Sequence, residues 1–160
     1  MILMDNSQLL NREHYECLVG LIDGWLEQQL RDNPIMVGVH CDDLGLKERR
    51  WYIRVLGEQK DTFTVRLTLR ERMLHYETYV MPMADGNKEY LFTSLLGRNR
   101  RLVGASFCIG EEGAIFLVGA IPARTVDLLE LDRLLGTLWA AVEDSFGSLI
   151  RIAFPRRFSD

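Results

Sequence analysis

Apolar residues recur at three- and four-residue steps through residues 11–31. Tyr15, Leu18, Val19, Ile22, Trp25 or Leu26, and Leu30 form one stripe, which predicts a helix that must pack on something. Asn33-Pro34 ends it, because proline donates no amide hydrogen and disfavours helical geometry in the residue before it. From Arg49 the period falls to two. Trp51, Ile53 and Val55 alternate with Tyr52 and Arg54. Phe63, Val65, Leu67 and Leu69 alternate with Thr62, Thr64, Arg66 and Thr68, and Leu74, Tyr76, Thr78 and Val80 with His75, Glu77 and Tyr79. Three half-buried strands joined by short polar segments predict a meander.

Parity fixes the register, since a slip of one residue would turn Arg66 or Glu77 to the core. A four-residue loop at residues 70–73 pairs Leu67 with Tyr76 and Val65 with Thr78, and sets Arg66 opposite Glu77 and Thr64 opposite Tyr79. By the same logic Val55 faces Phe63 and Tyr52 faces Arg66.

Pro82 closes the meander. A short helix from about Asn87 carries Leu91 and Leu95 on one side, and "ASFCIG" and "AIFLVGAI" read as a second hairpin around "GEEG", with Gly110 and Gly113 suited to positive φ. Residues 114–121 are apolar on both faces, which predicts a strand central in its sheet or covered by another element or subunit. A last helix spans about 127–146, opening with Asp127 and Glu130 at capping-box spacing. "LIRIAF" after it reads as a short strand before a basic end. Residues 34–48, with "IMVGV" and "HCDDLG", fit either a short strand or a loop.

The expected fold is α+β: an antiparallel sheet of about five strands in the order α-β-β-β-α-β-β-α, helices mainly on one face, as one domain over residues 1–160 with its core at about 12–154. With Trp51, Val65 and Leu74 covered, the opposite sheet face carries Tyr52, Arg54, Thr64, Arg66, Thr68, His75, Glu77 and Tyr79 and is left open.

Composition narrows the function classes. A 160-residue chain with 48% hydrophobic and 26% charged residues is an ordinary folded domain, long enough to bury about 70% of its unfolded surface. A formal charge of −4 argues against a dedicated nucleic-acid binder. Cys17, Cys41 and Cys108 form no CxxC pair, which predicts a reducing cytoplasm and no structural zinc. No apolar run reaches the ~18 residues of a membrane span, and the opening residues lack the pattern of a leader.

The segments "RRWYIRVLGEQKDTFTVRLTLRERMLHYETYVMP", "LLGRNRRLVGASFCIGEEGAIFLVGAIP" and "ELDRLLGTLWAAVEDSF", taken in order over about residues 12–158, resemble the YbjN family. Those proteins are mostly bacterial, are often described as regulators of sensory transduction, and are similar in fold to type III secretion chaperones. The resemblance implies a dimeric, non-enzymatic module that holds a segment of a client protein. It brings no catalytic residue and no cofactor.

Four groups of residues carry chemistry worth weighing. Arg98, Arg100 and Arg101 in "GRNRRLVG" can grip phosphate oxygens of a nucleotide or nucleic acid, or can lie at a helix end where cations meet the negative end of its dipole. No Walker pattern or interleaved aromatic accompanies them, which favours the helix end. His40, Cys41, Asp42 and Asp43 are adjacent, so their side chains do not converge as metal ligands; a loop is the better reading. Cys108 lies in an apolar strand, where a thiol is inert. On the open face, Tyr52, Arg54, Thr64, Arg66, His75, Glu77 and Tyr79 form a candidate partner-binding surface with Arg54 and Arg66 suited to an acidic segment, or a solvated face stabilised by cross-strand pairs. His75 and Glu77 as acid and base would need a cleft. The expected partner is a protein or peptide, with a homodimer implied by the doubly apolar strand and the resemblance.

Overall fold

In the computed structural model, which describes residues 10–45 and 47–158, the alternating segments pair into one antiparallel sheet. Strands β1 (Met36–Asp43), β2 (Glu48–Leu56), β3 (Thr62–Arg70), β4 (Met73–Met81), β5 (Ser106–Ile109) and β6 (Ile115–Pro122) lie in the order β1-β2-β3-β4-β6-β5. Helix α1 (Arg12–Asp32) precedes them, α2 (Lys88–Asn99) crosses from β4 to β5, and α3 (Leu128–Ala153) follows β6. The α+β class and the antiparallel sheet stand as expected, with a sixth strand added.

That strand is β1, which replaces the loop read at His40 to Asp43. It escaped the pattern because it lies at a sheet edge, carries few apolar residues, and shifts register between Met36 and Gly38. The second correction concerns "LIRIAF", which is the last turn of α3 through Ala153 with Phe154 as its C-cap. Leu149 and Ala153 are buried and continue the helical spacing from Val142 and Ser145. A short apolar run does not by itself separate strand from helix, and here the helical phase decides.

The meander registers match the parity argument: Tyr52 lies opposite Arg66, Val55 opposite Phe63, Arg66 opposite Glu77, and Leu67 opposite Tyr76. Trp51, Ile53, Val65, Leu67, Leu74 and Leu117 are fully buried beneath the helices. α1 packs beside β1, α3 against β4 and α2 against β5, and α3 touches both other helices. Two indoles tie these layers by hydrogen bonds: Trp51 Nε1–H donates to Asp23 of α1 at 2.8 Å, and Trp25 Nε1–H donates to Asp132 of α3 at 2.7 Å. Asn11 and Asp127 cap α1 and α3 by accepting from the amides of His14 and Glu130.

The doubly apolar β6 sits inside the sheet between β4 and β5. In its hairpin, Gly113 takes φ +72°, but Gly110 does not, at φ −104°. Gly110 is there for space: a Cβ would stand 2.4 Å from the Phe116 ring.

Candidate functional site: the open sheet face

Registers carried across the strands place one row of side chains on the uncovered face: His40, Tyr52, Arg66, Glu77, Val118 and Ser106, one from each strand. A parallel row holds Asp42, Arg50, Thr68, His75 and Ala120. The face thus divides. β1 to β4 present charges, whereas β4 and β6 present Tyr79, Phe116 and Val118, with Cys108 of β5 beside them.

On the charged half, Arg66 Nη2 meets Glu77 Oε1 at 2.5 Å, and both side chains are about one-third exposed. Arg50 donates through Nε and Nη2 to the same oxygen of Glu48, at 2.9 and 2.8 Å. The hydrogen bond from Arg50 holds the Glu48 carboxyl below its ordinary range, and Arg70 reinforces it. Burial, and then the charge of Arg70, pushes the His75 imidazole below its ordinary pKa, while Glu77 works in the opposite direction. His40 and Asp42 pair at 2.7 Å, and the His40 ring stands 6.0 Å from Tyr52.

On the apolar half, the Tyr79 ring meets Phe116 edge-on at 5.6 Å between centroids. Tyr79 is nonetheless 43% exposed, and burial of its hydroxyl raises its pKa. At this end Lys60, from the β2–β3 turn, donates to the carbonyls of Tyr79 and Val80 at 2.8 Å each. Its ammonium lies 4.9 Å from the Tyr79 ring centre, and burial lowers its pKa to about 8.

The arginines of "GRNRRLVG" do not converge. Arg98 faces α3 and donates to the hydroxyls of Ser145 and Ser148 at 3.3 and 2.6 Å, and to Ser94 at 3.4 Å. Asn99 holds β5 by accepting from the Phe107 amide at 2.7 Å and donating to its carbonyl at 3.1 Å. Arg100 and Arg101 are exposed, and Gly104 takes φ +81° with its carbonyl bonded by the Tyr76 hydroxyl. Among the described residues no group of three or more His, Cys, Asp or Glu is placed to hold a metal ion, and no helix is long and apolar enough to cross a membrane.

Comparison with known proteins places the fold. A chain of the solved HopA1–SchA chaperone–effector complex superposes with a TM-score of 0.55 at 16% identity, covering 87% of this chain and 98% of that one. This chain shares the α+β fold of that one. No family model matches. An uncharacterized protein of Mycobacterium leprae is 35% identical over 105 residues, 66% of this chain and 57% of that protein. Uncharacterized proteins of Mycobacterium tuberculosis and Mycobacterium bovis are 33% identical over 102 residues, 64% of this chain and 56% of theirs. The chain therefore matches a little over half the length of these relatives.

Within this fold, parity argument and structure agree on Tyr52, Arg54, Arg66, His75 and Glu77 as neighbours on one face. The sequence reading passed over Arg50 and Arg70, although both follow the parity of Tyr52 and Arg66. It placed His40 and Asp42 in a loop, with residues 34–48 open between strand and loop, and so did not bring them to this face, and it passed over Phe116 and Val118, since their strand is apolar throughout.

Proposed function

We propose that this chain is a non-enzymatic, chaperone-like binding module that receives a segment of a partner protein on its open sheet face. The observation that carries the reading is that no element among the described residues covers this face, while its β4–β6 half keeps Tyr79 exposed and Phe116 and Val118 half-buried beside a field of arginines. Aromatic area with a charged surround is the composition of a binding patch. Two further features support it: the shared fold with a chain of a chaperone–effector complex, and the ordered motifs that resemble YbjN proteins. His75 and Glu77 stand two residues apart on one strand, and the Glu77 carboxylate is already engaged by Arg66, which leaves no free acid–base pair there.

The test is affinity capture from a cell that makes the protein, comparing wild type with the triple variant Arg54→Gln, Arg66→Gln, Tyr79→Ser. The variant should lose partners that wild type retains, with an unchanged circular dichroism spectrum. Identical partner sets remove the face from consideration.

The proposal includes a homodimer through the β5 edge. Among the described residues β5 has one neighbour in the sheet, β6, and Leu96, Val103 and Ile109 are exposed around it. An unpaired edge next to apolar surface is a template for a second chain. Sedimentation at micromolar concentration should give twice the monomer mass, and Ile109→Lys should return it to monomer.

A further inference from the structure

The charged half of the open face has a floor. Thr68 lies on this face by register, between Arg50 and His75, yet it is only 6% exposed. Arg50, Arg66, Arg70, His75 and Glu77 ring it and enclose a depression of about 170 Å³. Three guanidiniums there meet two carboxylates. Glu48 takes Arg50 at 2.8 Å and stands 3.6 Å from Arg70, and Glu77 takes Arg66 at 2.5 Å. Among these pairs one positive charge is left over, in a chain whose formal charge is −4; Asp42, opposite Arg50 in register, is taken up by His40 at 2.7 Å. Arg66 is not saturated either, since its buried Nε–H meets no acceptor.

We infer that the depression over Thr68 seats the carboxylate of an aspartate or glutamate belonging to the docked segment. This rests on the open face being the binding surface, and adds to it the chemistry that selects the partner. Arg70, exposed and no closer than 3.6 Å to Glu48, keeps donors for a carboxylate, while the buried Nε–H of Arg66 lies beneath the seat and reports on it. A dianionic phosphate suits the site less well, because Glu48 and Glu77 at the rim leave a surplus of one positive charge. The geometry also sets a spacing. β6, with Val118 and Phe116, lies two strands from β3, or about 10 Å at ordinary strand separation. A segment running across the strands then places an apolar side chain roughly three extended residues from its carboxylate.

The experiment titrates the full chain with two end-blocked peptides, Glu-Ser-Ala-Phe-Ser and the same sequence with Gln in place of Glu, and with inorganic phosphate. The readout is the NMR signals of the Arg66 Nε–H and the His75 ring. The Glu peptide should move both signals, binding about tenfold tighter than the Gln peptide, as expected for a charge-assisted hydrogen bond. The Arg50→Gln, Arg70→Gln protein, checked for an unchanged melting temperature, should lose that preference. Phosphate at equal concentration should leave the signals in place. The inference is overturned by equal binding of the two peptides, by no binding of either at millimolar concentration, by an unaltered preference in the double variant, or by phosphate displacing the peptide. If the double variant still captures the wild-type partner set, the face survives as a docking surface without the carboxylate seat. If the triple variant above captures that set, the face itself is lost.

Discussion

Arg98 and Arg66 have the same side chain and opposite circumstances. Arg98 spends its guanidinium on three serine hydroxyls of α2 and α3, which makes it a link between helices. Arg66 shares one corner with Glu77 and keeps a buried Nε–H without an acceptor. A charged donor bonded to neutral acceptors contributes about 1–3 kcal/mol when part-buried. Arg98→Ala should therefore lower the unfolding free energy in urea by roughly 1–2 kcal/mol, whereas Arg100→Ala and Arg101→Ala, on exposed residues, should stay within about 0.5 kcal/mol. The motif "GRNRRLVG" announced a cationic helix end, and that much was legible. Which arginine turns inward depended on Ser145 and Ser148, which lie nearly fifty residues further along the chain.

At the level of elements, the β2–β3 turn shows how a connection is fixed by a distant helix. Glu143 of α3 accepts from the amides of Glu58 and Gln59 at 2.8 and 2.7 Å, and Trp139 Nε1–H donates to the Leu56 carbonyl at 2.8 Å. A carboxylate that satisfies two turn amides holds the hairpin against the helix layer. Glu143→Ala should cost about 1–3 kcal/mol and should accelerate hydrogen exchange at Glu58 and Gln59 while leaving β4 and β6 protected. The strands of the meander were readable because each has one wet and one dry face, so parity alone gave their register. β1 was not, because an edge strand with a register shift buries too little to impose a pattern. The end of α3 was misread because a six-residue run with five apolar positions satisfies either period, and only packing of Leu149 and Ala153 chooses the helix.

For the molecule as a whole, Lys60 couples folding to pH. Burial lowers its pKa to about 8 in the folded chain, against an ordinary value near 10.5 in the unfolded one. Between those values the unfolded chain binds more protons, so stability from this group rises as pH climbs from 8 towards 10.5, and the penalty of a buried ammonium is present in full below pH 8. Tyr15, Tyr76 and Tyr79 have raised pKa values from burial and oppose this rise above pH 10. The thiols of Cys41 and Cys108, also raised by burial from an ordinary 9.0, oppose it earlier, so the Lys60 contribution is read over pH 8 to 10 as a difference between variants that share those groups. There the melting temperature of wild type should gain relative to Lys60→Met, and the difference between the two should be flat from pH 6 to 7.5. The sequence by itself determined the layer structure, the meander registers and the identity of the open face, because burial on one side of a strand or helix writes a period into the chain. Tertiary structure alone decided that β1 completes the sheet, that Arg98 is consumed by serines, and that Arg50, Arg66 and Arg70 close over Thr68. Those outcomes turn on which distant side chains meet, and no local period encodes a meeting between residues far apart in sequence.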